Sequence, residues 1–244
     1  MQDVEKCRRM IRIFAVSIAC LAGFVIVAWQ VATGGPLTEL DRSLSLRFYD
    51  FARADSDRFD WTIWATDLNL GRPRMILMVA VTVVLLLDRK FGLALAWLGS
   101  QYYVHELIGD LKMQFERPRP DFPDSLYIVG GYSFPSGHAG GAFAFYAMLA
   151  YVVWRQQFPR WVKSLSFVLL AGMTILIGVT RMLLGVHWFS DVLGGFLIAG
   201  AYVGLWVFLC EFVSGLKHCP KSKPELHSVG SGPVTNKVES PHGQ

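Results

Sequence analysis

Charge is what this chain has least of: only 17% of its 244 residues are Asp, Glu, Lys or Arg, while 53% are apolar. Ordinary soluble domains carry roughly 25% charged residues. The shortfall excludes a soluble globular domain, and the length excludes two large domains, so one membrane domain is expected. Cysteine is also scarce. Cys7, Cys20, Cys210 and Cys219 lie near the two ends with no C-x-x-C spacing, which excludes a zinc ribbon or a disulfide framework and predicts free thiols. No A-x-A-like cleavage site follows the first apolar run, 13–32, although Lys6, Arg8, Arg9 and Arg12 precede it. That run is therefore read as a retained signal anchor. No internal repeat is present, and the net charge of +4 is too small to suggest a nucleic-acid partner.

Apolar residues dominate what remains, and mean hydropathy is +0.38 even with polar stretches included. Apolar runs at 13–32, 71–87, 91–111, 138–154, 164–184 and 188–212 approach or reach the roughly 20 residues a bilayer span needs. The second and fourth are short, and Arg74 and Arg155 are expected to snorkel to the headgroups. The expected fold is all-α, a polytopic bundle of six transmembrane helices over residues 1–212, followed by a disordered cytoplasmic tail at 213–244 rich in Pro, Ser and Gly. The larger share of the 23 Lys and Arg residues falls on the side of the two termini, which places both in the cytoplasm. Residues 34–74 then form an extracytoplasmic segment. There Leu40, Leu44, Leu46, Phe48 and Phe51 suggest interfacial helix pieces, acting as a connector or as a lid.

Three polar clusters stand at the ends of these runs: Lys112-x6-Arg119-Pro120, Pro135-Ser136-Gly137-His138 and Arg181-x5-His187-x3-Asp191. With six crossings they all emerge on one face, outside the cytoplasm. His187 and Asp191 are four residues apart, the spacing at which a carboxylate can hold one imidazole nitrogen and leave the other free to attack phosphorus. Ser136 and Gly137 offer a hydroxyl and open N–H groups at a helix start, where an anion is favoured. His138, one residue further on, suits a general acid. Lys112, Arg119 and Arg181 supply the charge that neutralises a transferring phosphoryl group. His138, His187 and Asp191 are also ligand types for a metal, but three neighbouring cations would repel a divalent ion, so a metal-free and cofactor-free site is expected. His105, Glu106 and Asp110 lie within about two turns of Lys112. Either they orient it or they form a structural ion pair, and they are left outside the phosphate site.

In this order and spacing the clusters resemble the signature of the type 2 phosphatidic acid phosphatase (PAP2) superfamily: K-x6-R-P, P-S-G-H and S-R-x5-H-x3-D. Thr180 stands where the family has serine and keeps a hydroxyl there. The resemblance implies that His187 becomes phosphorylated, Asp191 supports it and His138 protonates the leaving group. It also implies that Lys112, Arg119, Ser136, Gly137 and Arg181 hold the phosphate. A bacterial inner-membrane lipid phosphatase is therefore expected. Its substrate would be a lipid phosphate or diphosphate of undecaprenyl diphosphate, phosphatidate or phosphatidylglycerophosphate type, and membrane lipids its other partners. The enzymatic rival is a lipid phosphotransferase or lipid A phosphatase of the same superfamily, and the rival from another class is a non-catalytic transporter or scaffold. Membrane spans exclude the superfamily's soluble vanadium haloperoxidases.

Overall fold

The computed structural model describes residues 2–67, 71–122 and 127–216. Among the described residues there are eight helices and no strand: α1 (Gln2–Thr33), α2 (Pro36–Arg53), α3 (Ser56–Asp67), α4 (Arg72–Leu87), α5 (Phe91–Phe115), α6 (Gly137–Arg155), α7 (Arg160–Leu183) and α8 (Phe189–Leu216). Each of the six apolar runs coincides with a helix. The two additional helices, α2 and α3, occupy the 34–74 stretch. The tail from 217 onward, with Cys219, lies outside the described residues.

Four segments are long and apolar enough to cross a membrane by length and composition: Val4–Thr33, Ser56–Leu87 (which carries α3 and α4), Arg160–Leu183 and Phe189–Val213. Helices α5 and α6 fall outside that set. An inward position explains this for α6, which packs against α5, α7 and α8, while in α5 Gln101, His105, Glu106, Asp110 and Lys112 break up the apolar run. Large apolar side chains point outward, including Ile76, Leu87, Leu95, Trp161 and Phe167. The core holds Trp97, Phe134, Phe145, Met148 and Ile177. This arrangement marks a membrane-integral protein, in which helices satisfy the backbone hydrogen bonds that lipid cannot.

Two close approaches shape the end of the bundle where the polar clusters lie. A Cβ on Gly140 of α6 would come within 3.0 Å of the Gly195 carbonyl oxygen on α8, and a Cβ on Gly195 within 2.6 Å of the Ser136 carbonyl oxygen. Only glycine at both positions lets these backbones touch. The second cluster is thereby pressed against the third. Ser136 N–H then donates to the Asp191 carbonyl at 2.9 Å.

Helix α5 continues past Lys112 to Phe115 and ends at Glu116 in the left-handed region, φ 45°. Pro118 and Pro120 forbid further helix. The chain turns back, and Ser133 clasps the outgoing segment by donating from its N–H to Arg117 O and from Oγ to Pro118 O.

Arg74 departs from its expected route. Instead of reaching outward, its Nη2 donates to Gln101 Oε1 at 3.0 Å, and the guanidinium stands 5.0 Å from the Phe145 ring centroid. A cation–π contact and an amide inside the bundle replace the headgroups.

Candidate active site

His187 of the third cluster lies in the turn between α7 and α8, one residue before Trp188 and not on the helix itself. Both His187 and Asp191 are almost wholly buried. The imidazole Nδ1 stands 3.2 Å from Asp191 Oδ2, which assigns the proton to Nδ1 and leaves a lone pair on Nε2. That Nε2 faces Arg119 Nη1 at 3.2 Å. Burial, reinforced by the charges of Arg181, Lys112 and Arg119, pushes the His187 pKa well below its usual 6.5, which favours the neutral ring with its Nε2 lone pair turned to Arg119.

Asp191 is held from several sides. Its Oδ2 also accepts the Trp188 N–H at 2.9 Å, and Arg117 Nη1 donates to Oδ1 at 2.7 Å. Arg117 is not among the site residues expected from sequence. Its other terminal nitrogen donates to Asp41 Oδ2 at 2.7 Å, while Nη1 also reaches Ser190 Oγ at 2.7 Å. Asp41 comes from α2 and is 1% exposed. It accepts the Ser190 N–H at 2.7 Å and the Ser190 hydroxyl. A carboxylate from a distant helix therefore caps the start of α8, where unpaired N–H groups favour negative charge. The sequence offers one signal for Arg117, its place beside Arg119 in the Arg-Pro-Arg-Pro run. For Asp41 it offers only an acidic residue in a segment read as interfacial.

The remaining cations converge on the same end. Arg119 donates from Nε to Gly131 O, from Nη2 to Gly130 O and from Nη1 to Val186 O at 2.9 Å. Burial lowers its pKa, with Asp191 opposing. Lys112, just beyond the 91–111 span, donates to Tyr132 O at 2.6 Å and to Ser133 O at 3.2 Å. Burial, helped by the charge of Arg119, brings its pKa down to about 8. Arg181 is fully buried. Its Nη1 donates to Thr66 Oγ1 of α3 at 3.1 Å, its guanidinium lies 5.6 Å from the Tyr127 ring, and its Nε has no hydrogen-bond partner.

Ser136 caps α6, its Oγ accepting the Ala139 N–H at 3.5 Å, and Gly137 opens the helix with no side chain in the way. His138 sits in the first turn, within electrostatic reach of Arg181, His187 and Arg119. Its Nε2 is buried without a partner. Two orphaned donor or acceptor atoms, His138 Nε2 and Arg181 Nε, in a pocket of cations are what an anionic ligand would satisfy. Among the described residues no group of three or more His, Cys, Asp or Glu side chains is arranged to hold a metal ion. The two imidazole nitrogens of His187 already face a carboxylate and a guanidinium.

Fold and site together define a membrane-integral helical bundle that gathers at one end a buried His–Asp pair, a second histidine and several cations. Residues 75–215 match the PAP2 superfamily, and the chain belongs to that family. It is similar to phosphatidylglycerophosphatase B of Bacillus subtilis (strain 168), at 39% identity over 87 residues, which make up 35% of this chain and 42% of that protein. The chain thus matches less than half the length of this relative. Among solved structures it resembles the first transmembrane PAP2 type phosphatidylglycerolphosphate phosphatase from Bacillus subtilis, with TM-score 0.69 and 27% identity over 85% of this chain and 98% of that one. Aquifex aeolicus LpxE gives TM-score 0.48 at 24% identity, over 73% of this chain and 96% of that one.

Proposed function

We propose that this protein is a membrane lipid phosphatase that removes a terminal phosphate from a lipid phosphate or diphosphate through a phosphohistidine and without a metal ion. The observation that carries the reading is the buried His187–Asp191 pair, with Nδ1 held by the carboxylate and Nε2 turned to Arg119. In the first step Nε2 attacks phosphorus and the bond to the lipid oxygen breaks. His138 gives that oxygen a proton, and Asp191 steadies the positive charge left on the imidazole. In the second step water attacks phosphorus, His138 takes the proton back, and inorganic phosphate leaves with His187 restored. Lys112, Arg119, Arg181, the Ser136 hydroxyl and the N–H groups at Gly137 hold the phosphoryl oxygens as charge spreads over them. The cations perform the neutralisation that a divalent ion would otherwise supply.

The name of the relative, phosphatidylglycerophosphatase B, favours a glycerol-linked phosphate monoester over undecaprenyl diphosphate. Six crossings with both termini cytoplasmic bring the pocket to the outer face, where such a lipid enters sideways from the headgroup layer. His187→Ala is expected to lower turnover by at least about 10³-fold with the fold retained. Full activity in that variant removes the assigned nucleophile. Labelled phosphate appearing on an acceptor lipid rather than as inorganic phosphate identifies a transferase, and a site that fails to bind orthovanadate points to a non-catalytic role. A divalent chelator should leave the rate unchanged.

A further inference from the structure

The seam between α5 and α6 carries a second cationic level that the phosphoryl site does not use. Gly137 and Gly141 lie one helical turn apart on the side of α6 that faces α5. A Cβ on Gly137 would stand 3.8 Å from Ile108 Cγ2 and 4.0 Å from Lys112 Cε. A Cβ on Gly141 would stand 3.3 Å from Arg74 Nη1 and 3.7 Å from His105 Cε1. Four residues of α-helix rise about 6 Å, so the Arg74 and His105 level lies about one turn beneath the Lys112 level, further into the bundle.

Arg74 is costly where it is. Its partners are the neutral Gln101 amide and the face of Phe145, and among the described residues no carboxylate forms an ion pair with it. A permanent cation turned into a helix bundle without a counter-ion is seldom kept for packing alone. It is half-buried and His105 beside it is exposed, so a lipid approaching from the side can reach both. Gly141, with no side chain, lets the guanidinium and the imidazole lie directly against α6.

We infer that Arg74, oriented by Gln101 and accompanied by His105, forms a second anion subsite that binds the inner, diester phosphate of a substrate carrying two phosphate groups separated by a glycerol. This rests on the lipid phosphatase reading above and names its substrate class. The spacing selects the glycerol link. In a diphosphate one bridging oxygen holds the two phosphorus atoms closer than a helical turn. A glycerol places three carbons and two ester oxygens between them, a reach of about one turn. The direction also fits: the terminal phosphate meets His187 at the outer end, and the diester, nearer the acyl chains, meets Arg74 one turn deeper. A charge-assisted contact of this kind acts on binding more than on the chemical step.

The test compares wild type, Arg74→Gln and Arg74→Lys on three lipids in the same mixed micelles: phosphatidylglycerophosphate, phosphatidate and a prenyl diphosphate. Arg74→Gln is expected to lower kcat/KM on phosphatidylglycerophosphate by about 10-fold or more, mainly through KM, and on phosphatidate by less than about 3-fold, with Arg74→Lys in between. An equal loss on both lipids in both variants assigns Arg74 to the scaffold and overturns the subsite. A deficit largest on the prenyl diphosphate overturns the glycerol spacing. The thermal shift on adding each lipid gives a readout that needs no turnover. Wild type should be raised in Tm more by phosphatidylglycerophosphate than by phosphatidate, and Arg74→Gln should lose that difference. If wild type hydrolyses neither lipid yet shows the differential shift, the phosphatase reading fails and the subsite stands. If turnover is normal and the differential is absent, the subsite fails alone.

Discussion

Each end of the bundle buries a carboxylate among arginines, and the two clusters differ in what they leave undone. At the end opposite the polar signature, Glu211 of α8 is 3% exposed and accepts from Arg9 of α1, from Arg155 of α6 at 2.7 Å and from the Tyr151 hydroxyl at 3.0 Å. Both arginines there are partly exposed, and every partner uses its hydrogen bonds to tie three helices together. At the signature end, Asp191 and Asp41 are equally well tied, through Arg117, Ser190 and Trp188. Beside them, however, His138 Nε2 and Arg181 Nε remain unsatisfied. A buried charge cluster with its hydrogen bonds complete is a clasp. One with orphaned atoms next to it is built for a visitor.

Removing a charged group from each cluster breaks the comparison most directly. Arg117→Ala strands two buried carboxylates and should cost about 3–5 kcal/mol of stability, read as a lowered Tm, together with most of the turnover, because Asp191 loses its grip. Glu211→Ala should cost only about 1–3 kcal/mol, since its arginines can turn to water, and should leave kcat/KM within about 2-fold of wild type. Equal effects on turnover would erase the distinction between clasp and site.

The pH profile separates the two ends next. Activity should rise with pH as His187 loses its proton, at a limb below the usual 6.5 because burial and the neighbouring cations favour the neutral ring. It should fall again as Lys112 gives up its charge at about 8. Lys112→Arg keeps that charge and should carry the plateau past the alkaline limb, measured as kcat/KM against pH. A limb that stays put removes Lys112 from that role. Changes at Glu211 should shift neither limb. The smallest expected effect belongs to Thr180→Ser. Thr180 Oγ1 donates to Ile177 O of its own helix at 2.7 Å, a bond serine can repeat. Only a buried methyl is lost, which should cost about 1 kcal/mol of stability, read as a small drop in Tm, with kcat/KM nearly unchanged.

The apolar runs are legible as helices because a helix that faces lipid must be apolar along a span-length stretch, which composition records directly for four segments. The shared end of the three polar clusters comes from counting crossings. Other features are hidden for physical reasons. Helices α2 and α3 mix Asp, Arg and aromatics at an interface, so their pattern does not distinguish a strut from a loose connector. Asp41 acts on α8 from 149 positions away, and no local spacing encodes such a pairing. Arg117 reads as one more cation near a membrane end, and only the fold shows it facing two carboxylates. The usual habit of long basic side chains would send Arg74 outward to the headgroups, yet Gly141 and Phe145 open an inward route for it.

The capping of α8 by Asp41 has a consequence for how the chain is made. Asp41 leaves the ribosome early and Arg117 midway, while Ser190 and Asp191 arrive with the last helix. Until then Asp41 and Arg117 have each other, as in the finished fold, but both lack the α8 groups that complete their hydrogen bonds. The last helix is therefore received by two groups already in place, and the hydrogen bonds around Asp191 close only when α8 has been added.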